Sequence, residues 1–553
     1  MNMLETLKTD VLIIGGGLAG LTAACAIADS SSLRLLVTST GSGASPWVHG
    51  FSAPVSPGDS PEQFFQDVMK SGYGQNDPTL AKALCQGALE ALRGAELLGI
   101  AFDKSADGQY SLLRPLGASW PRVVCAGNET GPAILRRLDE KLRRNEHVQR
   151  ENMLRVMRLY VKEGAVRGAL GYDLKKGQFC FIAARAVILA CGGFCRLYPF
   201  STNKKDGGGD GIAMAYEAGV ELCDMEFIQF EPSGAIWPEK LIGTSVITTM
   251  YHDGAVMRNA LGERFMLRYS EAGERVDKDV QVRRMALEIM EGRGTEHGGV
   301  YFDATGVGRE KLEASYPMYV KRYKDVGIDL AKEMIQIAPA PHTSLGGVAG
   351  RPDCSTKVNG LFACGEVLGG LHGANRIGGN AGLETLVFGK IAGESAKAYA
   401  RGQGSLDAAG SEEAQRLLRK AMTGKGTPDT IDLGAIRQEM GNALKEGTYV
   451  LRDGERLTKA RERLKELLTA ARAAFDGESL LGCYERLRLQ NDLTAALLLV
   501  NAALERRESV GCHIREDCPG REKERYRILL SRGDRGLKIR KVALPEIGSE
   551  VQS

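Results

Sequence analysis

Thr9–Ala28 reads TDVLIIGGGLAGLTAACAIA, and the way it divides decides the fold. Thr9–Ile14 is a short apolar run of the kind that forms a buried strand, and Leu21–Ala28 is alanine-rich with helical character. Between them stand Gly15, Gly16, Gly17, Leu18, Ala19 and Gly20. Strand, glycine turn and helix in that order form a dinucleotide fingerprint, because glycines let the amides at a helix N terminus approach a pyrophosphate. A second apolar run, Leu33–Val37, follows at the distance expected for a βαβ unit, which predicts an α/β, Rossmann-like parallel sheet.

Working outward, the second strand ends in Thr38, Ser39 and Thr40 where an acidic residue usually bonds a ribose, so the turn does not by itself separate FAD from NAD. A helical region covers roughly Pro61–Leu98. Ala184–Leu189 reads as another strand, ending in a glycine turn at Gly192 and Gly193. From Glu226 to Pro341 short strands and helices mix, and glycine density returns from His342 to Gly389, so the middle reads as an insertion within one nucleotide domain. Gly402–Gly434 is polar, with Gly and Pro at intervals, and predicts linkers and short helices. Helical spacing then appears at Leu457, Ala460, Leu464, Leu467 and Ala471, and again from Leu480 to Leu504. The expected units are 1–225 and 342–402 for the nucleotide domain, 226–341 for the insertion, 403–520 for a helical domain and 521–553 for a tail.

Composition removes several function classes. The net charge of +3 is spread along the chain without an aromatic-interleaved basic stripe, so nucleic acid is not an expected partner. Twelve cysteines are scattered, the nearest pair being Cys191 and Cys195, and none shows the spacing of a zinc or iron–sulfur site, so no metal is expected. The strand pattern begins too early for an export signal, and the most apolar late stretch, Leu493–Ala503, is about half the ~20 residues a membrane helix needs. A reduced, cytoplasmic chain is the expectation.

The second half of the chain is more specific. It carries HTSLGG at 342–347, GLFACGE at 360–366, HGANRIGGN at 372–380 and LVFG at 386–389, with GDGIAMA at 209–215, MEFIQF at 225–230 and RESVGCHIRED at 507–517. In this combination and order the chain resembles the FAD-dependent flavoprotein subunits of fumarate reductase and succinate dehydrogenase and the L-aspartate oxidases, over residues ~10 to ~520. The resemblance implies a Rossmann-like FAD-binding domain interrupted by an α+β capping domain, with a helical C-terminal domain behind. It also implies hydride transfer between flavin N5 and a carbon beside a carboxylate. Glu366 would bond the FAD ribose, Asp210 would lie near the FAD, Ala381 and Gly382 would offer backbone groups to the flavin, and Ser45, His49 and Gly50 fall in the segment that runs along it. His342 and Arg376 match residues that hold a substrate carboxylate, and Arg's planar fork suits that task. Lys278 falls where an Arg shuttles a proton, with Arg293 a weaker candidate, and His372 reads as structural.

Four departures qualify the resemblance. Ala44 occupies the position of a His that attaches FAD covalently, so non-covalent FAD is expected. The family's His-Pro-Thr is Glu231-Pro232-Ser233, which would turn attraction for a second carboxylate into repulsion. Ile247–Gly254 lacks the Glu and Arg that feed that arm, and Lys278 lacks Arg's fixed fork. The expected substrate therefore has one carboxylate and a neutral or cationic far end. Two alternatives stay open. One is an L-aspartate oxidase-like enzyme, against which Pro115 stands where its acidic handle belongs. The other is an FAD electron-transfer subunit docking an iron–sulfur protein, which could place the chain peripherally at the inner membrane.

Overall fold

The computed structural model describes residues 4–29, 31–203, 207–406, 410–422, 432–473 and 479–545. β1 (Glu5–Ile14) leads into the glycine turn and α1 (Leu18–Ala28) leaves it. Val11–Ile14 are all buried, which is why the strand reads as a continuous apolar run rather than an alternating one. β2 (Leu35–Ser39) pairs parallel with β1, Val11 opposite Leu35, and β3 (Val148–Asn152) pairs parallel with the outer side of β2. On the other side, β4 (Leu154–Lys162), β5 (Ala165–Asp173) and β6 (Gln178–Leu189) complete the order β3-β2-β1-β6-β5-β4. β6 runs parallel to β1, and the β4–β5 and β5–β6 pairs are antiparallel. A short strand from far along the chain, Leu361–Ala363, also pairs parallel with β6, so the two glycine-rich halves meet in one sheet.

Helix α2 (Asp210–Glu217) precedes the inserted region. There β7 (Ile228–Trp237), β8 (Val256–Arg258), β9 (Val300–Asp303) and β10 (Ile335–Ser344) form an antiparallel sheet in the order β7-β10-β9-β8. Met250, Met257, Phe265, Phe302, Tyr323 and Ile337 belong to its own buried core. Helix α3 (Lys278–Glu288) packs against β7, and α4 (Asn380–Arg401) packs against α1.

Helices Leu433–Thr448, Gly454–Ala473 and Leu480–Glu505 pack on one another, and the five predicted positions from Leu457 to Ala471 are all buried. Of the predicted linker, Gly410–Met422 is a helix, while 407–409 and 423–431 lie outside the described residues. The expected tail is corrected: Tyr526–Gly533 and Gly536–Ala543 form a hairpin that pairs through its first strand with Leu222–Cys223. Its inward positions Tyr526, Ile528 and Leu530 are buried, so a period of two was present beneath the charged residues that dominate the composition. Residues 546–553 lie outside the described residues.

Candidate active site

Two adjoining cavities share Ala44, Val48, Glu366 and Ala381 in their walls. The first is built on the β1–α1 turn. Gly15 has φ +127°, a region side chains rarely enter, and a Cβ on Gly20 would stand 1.9 Å from the Gly15 carbonyl oxygen. Helix α1 starts with Gly17 as its N-cap, no capping side chain and no acidic residue in the first turn, which leaves its partial positive charge for a ligand. The Leu18 amide donates to Ser45 Oγ at 2.9 Å.

Gly15, Gly16, Gly17, Leu18, Ala19, Thr38, Ser39, Ser45, Gly192, Asp210, Glu366 and Ala381 line this cavity. Thr38 Oγ1 turns back to the Ile13 carbonyl at 3.4 Å, and Ser39 Oγ donates to Asn152 Oδ1 at 3.1 Å. Arg155 Nη1 pairs with Asp210 Oδ2 at 2.8 Å, and its Nη2 donates to Thr40 Oγ1 at 3.3 Å. Asn491 Nδ2, from the helical domain, donates to Asp210 Oδ1 at 2.8 Å. Burial pushes the Glu366 carboxyl up to about 7, although the Ser344 amide donates to it at 3.1 Å. An uncapped helix N terminus in a glycine cradle suits a diphosphate, and the Glu366 carboxyl and the Ser39 and Thr40 hydroxyls elsewhere in the lining suit sugar oxygens, so the residues present fit the parts of FAD.

His342, Arg376, Lys278, His49, Gly50 and Gly382 line the second cavity, whose volume of about 280 Å³ is that of a small-ligand site. His342, near the end of β10, places Nδ1 2.8 Å from Thr202 Oγ1, and burial pushes its imidazole down to about 3, so it is neutral at ordinary pH. Burial likewise lowers the pKa of His49. Arg376 is 7% exposed; Nη1 donates to the Ile377 carbonyl at 3.3 Å and Nη2 to Thr343 Oγ1 at 3.5 Å, and Nε has no partner. No carboxylate lies within ion-pair distance of it among the described residues.

Lys278 Nζ is 2.5 Å from Glu231 Oε2, and Ser233 Oγ donates to Glu231 Oε1 at 3.1 Å. Burial alone would raise the Glu231 carboxyl, but the Lys278 ammonium and the hydrogen bond from Ser233 hold it below the usual carboxylate range. The expected repulsion from Glu231 is therefore corrected: the pair is neutral overall, with Glu231 behind Lys278 rather than on the cavity wall.

Gly20 and Gly193 line neither cavity; a Cβ on Gly193 would stand 2.1 Å from Glu366 Oε1. Arg293 is bound locally, Nε to Glu288 Oε2 at 2.8 Å, and His372 Nε2 lies 3.0 Å from Glu384 Oε2. Sequence reasoning missed Arg155, Thr202 and Asp277. Asp277 was legible as the N-cap of α3, but Arg155 and Thr202 had no local signal and are brought in by the sheet and by the loop beside β10.

Residues 10–416 match the FAD binding domain family, and 437–546 match the fumarate reductase flavoprotein C-terminal family. A fumarate reductase (CoM/CoB) subunit of Methanothermobacter marburgensis is 36% identical over 546 residues, covering 96% of this chain and 98% of that protein. An L-aspartate oxidase of Streptomyces coelicolor is 32% identical over 557 residues, covering 98% and 94% respectively. The solved FrdA chain of E. coli quinol fumarate reductase superposes with a TM-score of 0.91 at 28% identity, covering 98% of both chains. None of the described helices is long and apolar enough to cross a membrane. With the glycine cradle and the second cavity joined at Glu366 and Ala381, the chain belongs to the FAD-binding fumarate reductase flavoprotein family and is an FAD-dependent oxidoreductase acting on CH–CH groups.

Proposed function

We propose that the second cavity takes a substrate with a single carboxylate beside the reacting carbon–carbon bond, held by Arg376 with His342 as a neutral hydrogen-bonding neighbour. The observation that carries this reading is the contrast between two cations. Lys278 is satisfied by Glu231 at 2.5 Å, whereas Arg376 is buried without a counter-ion among the described residues. An unpaired buried guanidinium is costly until an anion arrives, and its fork fits a carboxylate. FAD bound in the first cavity supplies hydride chemistry to that bond. Lys278 is the proton donor to the carbon next to the bound carboxylate, and Glu231 holds it in position. The absence of a histidine at Glu231 and of a Glu and an Arg in Ile247–Gly254 weighs against tight binding of a second carboxylate.

Ala44 at the end of the glycine cradle offers no nucleophile to the flavin, which supports non-covalent FAD. The electron partner we propose is a separate iron–sulfur protein, in keeping with relatives named as subunits. The test is to release the flavin with acid and then to titrate dithionite-reduced holoprotein, without oxygen, against mono- and dicarboxylate alkenes. FAD in the supernatant and reoxidation by a monoenoate support the reading. Fast reoxidation by fumarate alone overturns the single-carboxylate substrate, and flavin retained in the pellet overturns non-covalent attachment.

A further inference from the structure

The second cavity contains a carboxylate that the chemistry proposed above does not use. Asp277 lines it, immediately before Lys278, at the N-cap of α3. An Asp in that position normally accepts a hydrogen bond from an amide of the first helical turn. Asp277 makes no such bond, and its side chain has no hydrogen-bond or ion-pair partner among the described residues. It is turned instead towards the loop carrying Arg114 to Leu116, where a Cβ on Gly117 would stand only 2.9 Å from its Oδ1. Burial raises the pKa of this carboxyl, and the pull of Lys70 offsets that only in part, so as placed its charge is under-compensated.

The other ionisable groups on this side of the wall do not neutralise it. Arg114 Nε donates to the Ala118 carbonyl at 3.1 Å; its side chain is exposed at the mouth, where water screens it, and it forms no ion pair with Asp277. The imidazole of His252 is held towards its neutral form by burial and by nearby Arg275 and Arg114, against the opposing pull of Asp253. The lining of the cavity therefore includes an unpaired buried cation, Arg376, and an unpaired carboxylate, Asp277.

We propose that Asp277 is a specificity-determining residue that accepts an ammonium group on the far end of the substrate, so that the substrate class is an amine-bearing monocarboxylate. This rests on the single-carboxylate reading above, with Arg376 at the other end. A carboxylate at the far end is disfavoured by the same residue, which gives a second reason for discrimination against dicarboxylates.

Three probes share one skeleton and differ only in the far group: trans-4-aminocrotonate, crotonate and fumarate. Anaerobic reoxidation of the reduced holoenzyme by each gives kcat/KM directly. The expected order is aminocrotonate, then crotonate, then fumarate, and Asp277→Asn, which keeps the size of the side chain and removes its charge, lowers kcat/KM for aminocrotonate about ten-fold while changing crotonate less than about three-fold. Asp277→Lys is expected to move the preference towards fumarate. Equal losses on aminocrotonate and crotonate in both variants, or a parent enzyme that prefers crotonate to aminocrotonate, overturn the role of Asp277 while leaving the single-carboxylate reading intact. Preference of the parent for fumarate over both monocarboxylates overturns that reading itself.

Discussion

Lys278 and Glu231 are partners of different burial, 17% and 6% exposed in their side chains. Replacing Lys278 by Met leaves Glu231 with an uncompensated buried charge, and breaking such a pair costs about 3 kcal/mol. Denaturant unfolding should show that loss for Lys278→Met and recovery of most of it in the double variant Lys278→Met/Glu231→Gln, with turnover absent in both. Equal destabilisation in the single and double variants would show that the pair does not govern stability. His342 supplies a prediction in pH. Burial pushes its imidazole down to about 3, whereas an unfolded chain titrates near ~6.5. Between those values the unfolded chain binds a proton that the folded chain refuses, so stability present above ~6.5 is lost as pH falls towards 3. The melting temperature of His342→Asn should therefore fall less than that of the parent between pH 7 and pH 4; parallel curves would refute the neutral, buried imidazole.

At the scale of elements, the β1–α1 turn carries the cofactor site through two close approaches. Gly15 occupies a left-handed conformation, and Gly20 allows the first turn of α1 to rest on the Gly15 carbonyl. Gly20→Ala inserts a methyl 1.9 Å from that oxygen, so α1 must shift away from the cradle. The expected outcome is a purified protein with little or no bound flavin, destabilised by about 1–3 kcal/mol, the range for overpacking a close contact. Absorbance at the flavin band together with thermal unfolding checks it, and a fully yellow variant would show that the turn relaxes. Much of this element was legible in Thr9–Ala28, because the strand run, the glycines and the alanine-rich helix are contiguous. The end of β2 was less so. Thr38 lines the cavity yet turns its hydroxyl back to Ile13, whereas Ser39 and Thr40 meet Asn152 and Arg155 from neighbouring strands.

In the whole molecule the C-terminal hairpin is part of the nucleotide domain's support. Arg527 is ion-paired with Asp77 at 3.2 Å and with the buried Asp224 at 3.2 Å, and Arg506, fully buried, joins Glu226 at 2.6 Å while donating to the Tyr526 carbonyl at 3.1 Å. Truncation after Glu524 removes Ile528 and Leu530 from the core and leaves Asp224 without its guanidinium. That variant should unfold at markedly lower denaturant than the full chain, by several kcal/mol, the cost of stranding a buried charge together with lost apolar burial; an unchanged midpoint would make the hairpin an appendage. The sequence alone determined the dinucleotide turn, the family and the helical domain, because these depend on contiguous patterning and on motifs whose order survives in the chain. Only the tertiary structure decided that Glu231 neutralises Lys278 across 47 positions, that Asp210 is held by Arg155 and Asn491 from two other elements, and that Asp277 and Arg376 remain unpaired in one cavity. The reason is physical: a charge's meaning depends on what lies within a few ångströms of it, and sheet register and helix packing bring together residues whose spacing along the chain carries no trace of the contact.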